Sequence, residues 1–129
     1  MSNFDASAPF VLIARIRVNE GNVGDYIQLA KKTDDAVKDT EPGMLHHTFH
    51  SDPDDPLCFV WTEVFENDAA LITHLNNPPV LEYLAQHAEL GDSASIEVFG
   101  TVGKECKELM MSLGLPVSIF ESKCGYSRI

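Results

Sequence analysis

Basic residues are scarce in this sequence. Nine lysines and arginines stand against 20 aspartates and glutamates, a net charge of −11 over 129 residues. So acidic a surface repels phosphate backbones and excludes a nucleic-acid partner. It also offers anionic lipid headgroups no basic patch. Long apolar runs are missing too: none nears the ~18 residues that span a bilayer, so no membrane partner is expected. The opening MSNFDASAPF has neither a basic nor an apolar stretch, and no secretion signal is read there. Cysteine occurs only as Cys58, Cys106 and Cys124, an odd set without a C-x-x-C pair. That pattern suits reduced thiols in a cytoplasm. Repeats, low-complexity tracts, glycine-rich phosphate loops and a G-x-S-x-G elbow are all absent. What is present is 44% hydrophobic content, ordinary for one globular domain.

The chain alternates between two hydrophobic periods. FVLIARIRV (10–18) is β-branched and apolar and reads as a first strand, with Leu12, Ala14, Ile16 and Val18 on its cleaner apolar face. Asn22 is the expected N-cap of a helix over about 23–40, with Val23, Tyr26, Ile27, Ala30 and Val37 at helical spacing. Pro42 disfavours helix at the residue before it and ends the run. MLHHTFHS (44–51) and LCFVWTEVF (57–65) flank a stretch of turn formers and read as a hairpin. Asn67 is placed to cap a second helix carrying Leu71, Ile72 and Leu75, interrupted by NNPP at 76–79. A third helix over 80–90 and a last strand over 94–102 follow. The order β-α-β-β-α-β predicts an α+β, ferredoxin-like antiparallel sheet with helices on one face, over residues 1–102. Its other face retains apolar residues and calls for a cover, which a second copy can supply. Residues 103–129 form an extension with a short helix at 104–114 and an added strand at 117–120, packed on the same domain or the partner subunit.

Three histidines fall within five positions. His46 and His50 have the i, i+4 spacing of a zinc-binding helix, but this stretch reads as a strand. Residues four apart in a strand are about 13 Å apart, whereas zinc–nitrogen bonds are about 2.0–2.1 Å. No metal site is expected there, and these two read as polar residues on a half-covered sheet. His47 points the other way and is expected to share the apolar face of Leu45 and Phe49. His74 lies beside Leu71 and Leu75, just before the proline break, at the edge of the helix–sheet core. A neutral imidazole there can take or give a proton near neutral pH. The aromatic residues of the hairpin, with Tyr83 of the third helix, are expected mostly in the core. The pairs Asp34–Asp35 and Asp54–Asp55 read as a solvated helix edge and a turn.

The stretch EPGMLHHTFHSDPDDPLCFVWTEVFENDAALITHLNNP resembles the antibiotic biosynthesis monooxygenase family. The matching motifs are the Pro42-Gly43 turn, the run from His50 to Pro56, Glu63-Val64-Phe65, Asn67 to Leu71 and His74-Leu75. The resemblance covers roughly residues 10–102. It implies a homodimer in which two ferredoxin-like sheets close into a dimeric α+β barrel. It also implies a pocket between sheet and helices, and cofactor-independent oxidation of phenols, quinols or anthrones by dioxygen. Phe65 stands where the family usually has tryptophan. The haem-degrading branch uses an asparagine, a tryptophan and a histidine where this chain has Ala14, His74 and Leu84, so no haem is implied.

A function follows as an expectation. A small aromatic molecule would enter a dry pocket walled by Phe49, Trp61, Phe65 and Tyr83. His74 would be the catalytic base, with His47 as its rival, and no cofactor would be needed. A non-enzymatic small-molecule-binding dimer and a non-redox isomerase or cyclase are the alternatives.

Overall fold

The computed structural model describes residues 8–129. Its elements are β1 (Phe10–Val18), α1 (Val23–Thr40), β2 (Met44–Ser51), β3 (Cys58–Phe65), α2 (Asp68–Asn76), α3 (Pro78–Leu90), β4 (Gly91–Phe99), α4 (Lys104–Met111) and β5 (Val117–Phe120). The strands lie in the order β2-β3-β1-β4-β5. The first four pair antiparallel. β5 adds to β4 in parallel, so the extension turns the expected antiparallel sheet into a mixed one.

Three local expectations are corrected. Asn22 occupies the N-cap of α1, but its side chain makes no capping hydrogen bond. The last strand, β4, spans Gly91–Phe99 and not 94–102, because β1 reaches Gly91 through an irregularity between Arg17 and Val18. α3 starts at Pro78, not Val80. Two prolines open it at positions where a missing N–H costs nothing.

Register then decides which side chains meet. His47 pairs with Glu63, Glu63 with Leu12, and Leu12 with Val98. Phe49, Trp61, Ala14 and Ile96 form the next row on the same face. Leu45 does not share it, since a bulge between Met44 and His46 makes Leu45 the extra residue. Leu45 is 43% exposed as a result, while His47 and Phe49 stay inward.

All four helices pack apolar residues against that one face, while Leu81 of α3 and Met111 of α4 stay exposed. One core cluster joins Ile16, Phe59 and Trp61 to Tyr26, Leu29 and Tyr83. The other joins Phe10, Leu12 and Phe65 to Leu71, Leu75, Cys106 and Met110. Cys106 and Met110 are fully buried, so α4 is part of the main core. It is also tied to α2, because the Gly103 N–H donates to the Asp68 carboxylate at 2.7 Å. Phe120 of the extension is 51% exposed and stacks on Phe99 in place of entering the core. Among the described residues, no helix is long and apolar enough to cross a membrane.

Candidate functional site

Between the sheet and the helices lies a cavity of about 640 Å³. Leu12, Ala14, Leu71, Leu75 and Val80 give it apolar walls, and Leu113 and Leu115 of the extension border it. His47, Glu63 and His74 open into it, with Trp61 and Tyr83 beside them.

His74 comes from α2. Its Nδ1–H donates to both carboxylate oxygens of Glu41, at 2.9 and 3.0 Å. Glu41 is the last-turn cap of α1 and also accepts from Asn77 Nδ2 at 2.8 Å. With Nδ1 occupied, His74 presents Nε2, which lies 3.6 Å from Glu63 Oε1. His47 comes from β2 and is oriented in the same way. Its Nδ1 is 2.8 Å from Asp34 Oδ1, and its ring stacks on Trp61 at 4.3 Å. Asp34 is therefore no mere solvated helix edge.

Burial and charge oppose one another in this cluster. Burial drives the Glu63 carboxyl above its usual range, against the pull of His74 and His47. Burial also works to raise Glu41, but the hydrogen bond and charge of His74 outweigh it and hold that carboxyl low. For His74, burial favours the neutral ring, yet the Glu41 hydrogen bond and the charges of Glu63 and Glu41 raise its pKa above the ordinary value.

A second polar chain runs beside the first, and its Trp61, Tyr83 and His87 also line the cavity. Trp61 Nε1–H donates to the Tyr83 hydroxyl at 2.9 Å. Tyr83 is hydrogen-bonded to Tyr26, whose hydroxyl reaches His87 Nδ1 at 2.7 Å. Burial pushes the Tyr83 phenol up to about 12 and Tyr26 higher still, so both are neutral near pH 7. Burial lowers His87, which suits an Nδ1 that accepts from Tyr26.

His74, His47, Trp61 and Tyr83, all expected as site residues, are brought together. Phe49 and Phe65 are not walls. Phe49 packs behind Trp61 on Phe59 and Tyr26. Phe65 is fully buried against Phe10, with its ring 5.4 Å from His74. Both face inward, but neighbouring side chains separate them from the cavity. Sequence reasoning does not reach Asp34, Glu41, Glu63 or Tyr26. Glu63 leaves one signal there: it is the lone acid at the inward parity of a strand otherwise filled by Phe59, Trp61 and Phe65. On the opposite face, the Nε2 atoms of both His46 and His50 reach the hydroxyls of Thr48 and Thr62, at 2.7 to 3.2 Å. Their rings lean together more than backbone spacing implies.

Known proteins carry the same architecture. The MupZ protein of Pseudomonas fluorescens superposes with a TM-score of 0.73 at 19% identity, over 93% of this chain and 94% of its own. That coverage reaches into the extension. PA3566 of Pseudomonas aeruginosa gives 0.67 at 24% identity, over 76% of this chain and 98% of its own. At such identities the likeness is one of fold. An uncharacterised Synechocystis protein, sll1783, is 26% identical over 95 residues, which make up 73% of this chain. This chain spans only 64% of that relative's length. The family model for antibiotic biosynthesis monooxygenase matches residues 9–86, from β1 into α3. More than half of the chain fits that model, and the chain belongs to the antibiotic biosynthesis monooxygenase family.

Proposed function

We propose that the protein is a monooxygenase of a small, hydroxylated aromatic substrate, with dioxygen as oxidant. The observation that carries this reading is the His47–Glu63–His74 cluster opening on a largely apolar cavity. The apolar walls suit an aromatic ring and exclude water. His74 Nε2 is the atom placed to take a phenolic proton, while Glu41 holds the ring and stabilises its charge. The phenolate is electron-rich enough to reduce O2. For a phenol with a free para position, one oxygen atom forms the new C=O bond of a quinone. The other leaves as water with two substrate hydrogens. All four electrons come from the substrate, so the balance calls for no flavin or external reductant.

A passive binder of an aromatic ring needs the same cavity but not the titratable groups at its wall, whose burial costs stability. That cost favours the enzymatic reading. An isomerase or cyclase shares the acid–base groups but consumes no oxygen. An oxygen electrode with a panel of phenols, hydroquinones and anthrones separates these readings. The expected result is uptake of one O2 per product formed with at least one of them. Turnover without oxygen uptake would move the assignment to the isomerase class.

The functional form is proposed to be a homodimer. Val11, Ile13 and Val60 lie half-buried on the helix-free face of the sheet, and the family resemblance supports covering it with a second sheet. Light scattering is expected to give twice the 14.2 kDa chain mass at micromolar concentration. A stable monomer would contradict the proposal. Cys58, Cys106 and Cys124 are unpaired, and on that ground we assign the protein to the cytoplasm.

A further inference from the structure

We infer that His47, Glu63 and His74 form a binding site for one divalent first-row transition cation. Among the described residues, His46 and His50 have no third ligating side chain beside them. The convergent pair is a different one, made where α2 crosses the β2–β3 hairpin.

Geometry is the first support. One potential ligand atom from each of the three residues lies within 4.8 Å of the other two. Ligands at about 2.0–2.2 Å from a shared ion sit roughly 3 Å apart, so side-chain rotation has little distance to close. The His74–Glu63 edge is already at 3.6 Å. All three residues stand on regular elements, and His47 and Glu63 are direct cross-strand partners.

Orientation is the second. Each imidazole has its Nδ1 tied to a carboxylate, His47 to Asp34 and His74 to Glu41. Such an outer carboxylate fixes the tautomer and leaves the Nε2 lone pair free for an ion. An ordinary His–Glu ion pair would account for His74 and Glu63. It would not account for a second histidine held in the same way beside them.

Glu63 is the third. Its side chain retains only 7% exposure, and it lines the cavity. Among the described residues no hydrogen-bond donor reaches its carboxylate, the nearest cationic group being His74. Its oxygens face the cavity, and a cation there would supply the carboxylate with the partner that the surrounding side chains do not. Two nitrogens and one carboxylate oxygen on one side of an ion leave its other positions to the cavity. That is the ligand set of non-haem iron(II) sites, and manganese, cobalt and zinc also accept it.

The inference concerns binding and holds whatever reaction the pocket performs. An ion held there would occupy His74 Nε2, so the base role proposed for His74 belongs to the metal-free protein.

The test is a titration of metal-stripped, full-length protein with Co²⁺ and, separately, Zn²⁺, without substrate. Cobalt absorption and heat of binding are followed. The expected result is one ion per chain, bound at least about tenfold to a hundredfold more weakly by Glu63→Gln and by His47→Gln. A His46→Ala/His50→Ala protein, altered on the opposite face, should bind like the wild type. Metal-free melting curves verify folding, and His47→Gln carries the test if Glu63→Gln does not fold. No saturable binding by the wild type would overturn the inference. So would binding equally tight in both site variants, or binding lost only in the His46/His50 variant. Oxygen uptake plays no part in this readout, so failure of the oxygenase reading leaves the result intact.

Discussion

His74→Gln is expected to lower turnover on any oxidised substrate by about 10²–10⁴-fold, the usual cost of losing a general base. Glutamine is chosen because its amide can still donate to Glu41, so that the buried carboxylate keeps a partner and the fold is spared. What it lacks is a nitrogen that accepts a proton at Nε2. The loss should fall on kcat. KM should change less, because Leu12, Ala14 and Trp61 line the cavity independently of His74. His47→Gln is the companion variant. His47 is also held by a carboxylate and faces the same cavity. Only His74 lies against two buried carboxylates, Glu41 and Glu63, which together stabilise the proton it would gain. Full activity in His74→Gln alongside an inactive His47→Gln would transfer the base role to His47.

Glu41→Ala is expected to destabilise the protein by about 3–5 kcal/mol, the cost of stripping one partner from a buried charged pair. Glu41 is 4% exposed and accepts from both His74 and Asn77. Its removal leaves a buried imidazole N–H without an acceptor. It also unties the end of α1 from the α2–α3 junction, since Asn77 sits between those two helices. At 2 °C or more per kcal/mol, the melting temperature should fall by at least about 6 °C. Glu63→Gln is the control, and it should cost far less. Glu63 is as buried as Glu41 but accepts no hydrogen bond among the described residues, so neutralising it strands no donor. Equal losses in the two variants would show that Glu41 is no special link between the helices.

Much of the scaffold is legible in the sequence itself. Alternation in FVLIARIRV marks the buried face of β1, and Leu12, Ile16 and Val18 are buried as that face requires. Pro42 ends α1 where a proline must, and Asn67 caps α2 by accepting from the Ala70 N–H at 3.0 Å. His74 is legible for the same reason: its helical position beside Leu71 and Leu75 puts it on the inward side. These signals are local, since periodicity and capping depend on residues within a few positions of each other.

The partners of the site are not legible in that way. Alternation places His47 with Phe49, but a bulge between Met44 and His46 turns Leu45 off the face they share. Nothing in the composition of that stretch marks it. Phe49 and Phe65 look like cavity walls as readily as Trp61 does, because strand alternation tells inside from outside but not cavity from core. Asp34 and Glu41 read as helix-surface and helix-stop residues until α1 lies over β2 and beside α2. By itself, then, the sequence determined the elements, their order, the buried face of each and the family motifs. Only the tertiary structure decided that His47, Glu63 and His74 share one cavity, each histidine with its own carboxylate. Those contacts depend on strand register and helix crossing, which are set by packing between segments far apart in the chain.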